Sequence, residues 1–160
     1  MNWINFYGLA FMLVIMIPNV IFAIKNRDGF QNFWENKAVE TLEQIGRAGC
    51  FGLMVLRIPG CGFGFSSDES FTVYLAVNVL LIAAYCLFWG ICFQKNSIFR
   101  ALVLSIIPSV IFLASGILSR YPPLILAAVI FAPCHITISY KNAKLATKRQ
   151  SQTDRGEYYE

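Results

Sequence analysis

Four stretches of this chain, Met1 to Ile24, Ser70 to Gln94, Ala101 to Ser119 and Tyr121 to Tyr140, contain no Asp, Glu, Lys or Arg over 24, 25, 19 and 20 residues. A helix rises about 1.5 Å per residue, so about 20 residues cover the roughly 30 Å apolar core of a bilayer. Each run is therefore long enough to cross. Composition agrees: 57% of residues are hydrophobic and 14% are charged, against about 25% charged in an ordinary soluble domain. These figures exclude a soluble globular fold. They predict an all-α integral membrane bundle forming one domain over residues 1–140, with spans at about 3–24, 71–93, 101–119 and 121–140.

The first run lacks the marks of a cleaved secretory signal. Met1 to Gly8 holds no basic residue, the apolar stretch is too long for such a signal, and Lys25 and Arg27 follow it. That order predicts a retained helix with its N-terminus outside.

A fifth crossing is predicted between Lys25 and Asp68. Asn32 and Glu35 are spaced as a capping box, in which the two side chains satisfy free backbone N–H groups at a helix start. From there Ala38, Val39, Leu42, Ile45, Gly46 and Gly49 recur at helical spacing, with Glu40, Glu43, Gln44 and Arg47 on the other face. The expectation is one long helix from about residue 32, interfacial in its first half and membrane-buried over 42–58, stopped by Pro59 and Gly60. Arg47 and Arg57 would then snorkel toward opposite interfaces.

The basic residues test this count separately from hydropathy. With five crossings and the N-terminus outside, eleven of the thirteen Lys and Arg fall on inner segments, and only Arg57 and Arg120 fall outside. This matches the positive-inside rule, whereas four crossings would put a group of basic residues on the wrong side. The expected location is a cell (cytoplasmic) membrane with the C-terminus inside. The net charge of +4 then has a topological cause, and no nucleic-acid partner is implied. Residues 141–160 are polar and are expected to form a disordered tail. Its Lys141, Lys144, Lys148 and Arg149 would meet anionic lipid at the membrane exit.

Polar groups at membrane depth are the candidates for chemistry, because burial in hydrocarbon is costly without a partner. Asn19, beside Pro18, is expected to satisfy a carbonyl freed by the proline. Asn78 is expected to make an interhelical hydrogen bond. Arg57 is the third such position. A second set, Glu40, Glu43, Arg47 and His135, falls toward the inner side and forms a candidate functional cluster, although Glu43 and Arg47 are also spaced to pair along one helix face. His135 is the only histidine, so paired-histidine zinc sites are unavailable, and neither a metal, a cofactor nor a catalytic residue is assigned. The five cysteines are scattered, with no C-x-x-C pair, and read as small packing residues. The Gly-rich stretch Pro59 to Phe65 reads as an interfacial loop rather than an ion filter. Gly46, Gly49, Gly52, Ala76, Ala83, Ser105 and Ser109 supply small surfaces for helix contact.

The stretches Met16-Ile-Pro-Asn-Val-Ile-Phe-Ala-Ile-Lys25 and Asn36-Lys-Ala-Val-Glu-Thr-Leu-Glu-Gln-Ile-Gly-Arg-Ala-Gly-Cys50 resemble those of small multi-span bacterial membrane proteins of no assigned activity. The resemblance covers about the first sixty residues. It implies a bacterial membrane and supplies no function. Three functional expectations follow from the residues. The favoured one is a non-enzymatic accessory, regulatory or interaction subunit with a protein partner or a second copy of itself. The alternatives are a small oligomeric channel or transporter using Asn19, Asn78 and Arg57, and an intramembrane or lipid-modifying enzyme using the Glu40, Glu43, Arg47 and His135 set.

Overall fold

Five α-helices carry the chain in its computed structural model, which describes residues 3–25, 32–92 and 97–156, with side chains as far as Gln152. They are α1 (Phe6–Lys25), α2 (Lys37–Val55), α3 (Asp68–Cys92), α4 (Ile98–Leu118) and α5 (Pro122–Gly156). The described residues contain no β-strand, only one isolated antiparallel bridge between Ile4 and Leu56. Arg27, Lys95 and the side chain of Arg155, counted in the charge pattern, lie outside the described residues. Four helices are long and apolar enough to cross a membrane: α1, α3, α4 and α5 over Pro122–Gln152.

Local chemistry sets the helix ends. Ser67 and Ser70 at the head of α3 exchange backbone-to-hydroxyl bonds, and Asp68 and Glu69 place negative charge in its first turn, where the helix dipole favours it. Ser97 caps α4 by accepting from the Arg100 N–H. That helix stops in a left-handed turn at Arg120 (φ 51°), with Arg120 N–H bonded to Ile117 O and Tyr121 N–H to Gly116 O. This is the reciprocal pattern of a Schellman cap. Pro122 then opens α5 at the position where its missing N–H costs nothing. The two helices are thus forced into a tight antiparallel hairpin, and Gly116 lets them close: a Cβ there would stand 2.9 Å from Ile125 Cγ1.

Contacts between helices fix their directions. The bridge at Ile4 and Leu56, the bond from Ile58 N–H to the Tyr121 hydroxyl and that from Gly64 N–H to Ser119 O bring the starts of α1 and α5 beside the ends of α2 and α4. Phe65 packs on Phe71 and Tyr74 at the start of α3. At the opposite end Phe22 packs on Trp89, and Arg100 lies over both rings, while residues 33 and 34 bond Asn142 of α5. Successive helices therefore alternate in direction. One end of the bundle is aromatic, with Trp3, Phe63, Phe65, Phe71 and Tyr121; the other is basic, with Lys25, Lys37, Arg100, Lys141 and Lys144. α4 packs on α3 and α5, α2 lies along α5, and α1 sits at the edge against α2 and α3.

Two expectations need correction. The helix expected from about residue 32 starts at Lys37 and ends at Val55, so Asn32 and Glu35 do not form its cap. Asn36 caps it instead, accepting from Val39 N–H, while the Glu40 carboxylate accepts from Asn36 N–H. Residues 33 and 34 are withheld from the helix because their backbone N–H groups donate to the Asn142 carboxamide oxygen at 2.9 and 2.8 Å. The tail expected to be disordered continues α5 to Gly156. Extending an existing helix avoids the cost of nucleation, and the docked segment ties this part down further, with Arg149 over the Phe33 ring at 4.5 Å.

Candidate functional site

Gly46 decides how close α2 comes to α5. A Cβ at Gly46 would lie 2.8 Å from the backbone of Phe131, and one at Gly49 would lie 3.0 Å from Ala127, so only small residues admit this approach. One turn before Gly46 on α2, Glu43 points into the seam and is 3% exposed. Its Oε1 accepts from Nε of Arg47 at 3.0 Å and lies 2.9 Å from Nδ1 of His135 on α5. The imidazole is stacked on Phe131, ring centroids 4.6 Å apart and 20° between planes. Phe131 thus both sets the helix spacing and orients the histidine.

Of the four residues in the sequence-predicted cluster, the fold brings three together and leaves one out. Glu43, Arg47 and His135 share one carboxylate oxygen. Glu40 belongs to the helix cap, where its Oε1 accepts from Asn32 Nδ2 and Asn36 N–H. Glu43 lies six residues past the start of α2, about 9 Å along the axis, inside the bundle rather than at its basic rim. A carboxylate at such depth is tolerable only when charge-paired and hydrogen-bonded, and Arg47 and His135 meet that need. With Glu43 ionised, the His135 proton sits on Nδ1, since that nitrogen must donate. The arrangement joins α2 to α5 through a protonatable ring. Among the described residues, no group of three or more His, Cys, Asp and Glu stands ready to hold a metal ion.

The three intramembrane polar positions fall in three separate interfaces. Asn19 donates to Ile15 O at 2.8 Å, not to the Val14 carbonyl that Pro18 leaves without its N–H, and to the Tyr85 hydroxyl at 2.8 Å, joining α1 to α3. Asn78 donates to Tyr74 O and accepts from the Ser115 hydroxyl at 2.6 Å, joining α3 to α4. Arg57 lies at the aromatic end, its guanidinium 4.1 Å over Phe63 and one Nη bonded to Asn5 Oδ1 at 3.3 Å.

Two organising residues went unnoticed in the sequence. Asn5 donates to Met54 O and to the Tyr74 hydroxyl besides accepting from Arg57, so one carboxamide ties α1, α2 and α3 together. Its position just before the first helical residue was the available signal. Asn142 clasps residues 32–34 from α5, and nothing local in a polar tail marks it.

Fold and site together define a membrane-embedded, multi-pass helical protein in which a buried carboxylate joins a half-exposed guanidinium and an imidazole between two helices. Compared with protein-family models, with curated proteins and with solved structures, the chain matches none.

Proposed function

We propose that this protein is a five-pass, non-enzymatic accessory or interaction subunit of a bacterial cell membrane, with its N-terminus outside and its C-terminus inside. The alternating helix directions support five passes, because α2 runs between the same two ends as the four apolar helices. The gathering of basic residues at one end supports the orientation. On this reading Lys141, Lys144, Lys148 and Arg149 extend along α5 from the inner surface, where each gains about 1 kcal/mol from anionic lipid.

The observation that carries the interaction reading is the outward side of α2. Thr41, Gln44, Arg47 and Ala48 are exposed there together with Ile45, the Arg47 side chain by 49%, and a Cβ on Gly52 would meet nothing within 4 Å. Arg47 stands ten residues into α2, about 15 Å from its start. Lipid is a poor neighbour for this arginine and for Gln44, about 10 Å from the same start. A transmembrane helix of another protein suits the surface: Ala48 and Gly52, four apart, permit close backbone approach, and Gln44 and Arg47 offer interhelical hydrogen bonds.

A photo-cross-linking amino acid at position 48 tests this in native membranes. The expected result is one heterotypic adduct of reproducible mass, abolished by Gly52→Leu. Adducts with lipid alone would overturn the reading. The same face in several copies of this chain could instead enclose a polar path; adducts of the chain with itself, joined by solute flux in liposomes, would select that oligomeric channel or transporter.

A further inference from the structure

At the aromatic end, beyond the last turn of α2, Arg57 is held with few hydrogen-bond acceptors around it. Its backbone N–H bonds Trp3 O at 2.8 Å, and its guanidinium carbon lies over Phe63, 4.1 Å from the ring centroid, so both chain and side chain are fixed. A guanidinium offers five N–H donors. Only one nitrogen has an acceptor, the neutral Asn5 carboxamide at 3.3 Å, and the buried Nε has none. Among the described residues no carboxylate pairs with it; Glu43, for one, pairs with Arg47 and His135 instead. Asp68 and Glu69, the acids nearest in sequence on the far side of the loop, head α3 instead.

Arg57 forms part of the wall of an open cleft of about 250 Å³, lined also by Trp3, Ile58, Pro59, Gly60 and Phe63. Gly60 is in the left-handed region (φ 82°) with open space where a Cβ would stand, so the turn leaves the cleft mouth clear. Exposed Trp3 forms part of its lining, and tryptophan favours the headgroup zone of a bilayer. The cleft thus combines an uncompensated, planar cation with apolar walls.

We infer that the Arg57 cleft seats the phosphate of one phospholipid at this end of the bundle. Arginine matches phosphate oxygens with paired N–H donors, and the anion supplies the counter-charge that the protein does not. Trp3, Ile58 and Pro59 lie against the glycerol and first acyl carbons, which distinguishes a phospholipid from free phosphate. The proposal is independent of which side of the membrane the cleft faces.

The test is native mass spectrometry of the delipidated, detergent-solubilised full chain, titrated separately with phosphatidylglycerol, diacylglycerol and inorganic phosphate. The expected result is a single saturable phosphatidylglycerol adduct, at least tenfold weaker in Arg57→Gln, partly restored in Arg57→Lys, and unchanged in Arg120→Gln, which removes a second cation at this end. Diacylglycerol, which has the same chains without phosphate, leaves the site empty. Equal affinity for inorganic phosphate would overturn the lipid assignment in favour of a free-phosphate site. Undiminished phosphatidylglycerol binding by Arg57→Gln, with its helical circular dichroism intact, would overturn the site altogether.

Discussion

Nδ1 of His135 lies 2.9 Å from Oε1 of Glu43, linking residues 92 positions apart through the seam of α2 and α5. The bond exists because Gly46 lets the two backbones meet at Phe131 and because Phe131 holds the imidazole by stacking. A buried acid, a half-exposed arginine and a histidine thus form one unit whose parts cannot be changed independently.

Glu43→Ala strips the acceptor from both Arg47 and His135. A hydrogen bond to a charged group contributes roughly 2 kcal/mol, so the variant is expected to lose about that much stability, while His135→Phe, which keeps the stack on Phe131, loses less. Reversible unfolding in bicelles measures both. Wild-type stability in Glu43→Ala would show that the clamp contributes nothing.

Gly46 and Gly52 stand on the same helix with opposite surroundings. A methyl at Gly46 meets the Phe131 backbone at 2.8 Å, and overpacking of this kind costs about 1–3 kcal/mol; Gly46→Ala should destabilise the bundle and weaken the Glu43–His135 bond with it. Gly52→Ala meets nothing in the chain and should leave stability unchanged within about 0.5 kcal/mol. Equal destabilisation by both substitutions would contradict this packing.

Asn78 and Ser115 are both fully buried and joined at 2.6 Å. Interhelical hydrogen bonds in membranes contribute about 0.6 kcal/mol on average and up to about 1.7. A double-mutant cycle with Asn78→Ala and Ser115→Ala is expected to give a coupling near the upper value, since each group lacks water as an alternative. Additive effects would mean that the pair does not couple α3 to α4.

Asn142→Ala removes the acceptor for the N–H groups of residues 33 and 34. The segment before α2 should then open to protease faster than in wild type, with the bundle itself unchanged. Limited proteolysis read by intact mass reports this directly; identical cleavage rates would show that Asn142 does not hold the segment.

Much of the frame is legible without coordinates, and the reasons are local. Uncharged runs long enough to span hydrocarbon mark α1, α3, α4 and α5, because no other backbone form satisfies its own hydrogen bonds in lipid. The pairing of Glu43 with Arg47 is legible too, since residues four apart on a helix are neighbours. The start of α2 was misplaced by five residues because Asn32 and Asn36 both suit a cap, and the choice between them is made by Asn142, which lies far along the chain. The helical course of residues 141–156 was missed because the polar composition that suggests disorder also carries good helix formers.

The sequence alone determined that this chain is built of helices able to cross a membrane and that most of its basic residues fall in the polar stretches between and after the uncharged runs. Those properties follow from transfer of side chains and peptide groups into hydrocarbon, which acts residue by residue. Only the tertiary structure decided that His135 rather than Glu40 joins Glu43, that Asn19, Asn78 and Arg57 lie in three different interfaces, and that Arg57 faces a cleft without a carboxylate. Such pairings depend on helix rotation and spacing, set by steric contacts such as Gly46 on Phe131 and Gly116 on Ile125, and contacts between distant segments leave no periodic trace in the chain.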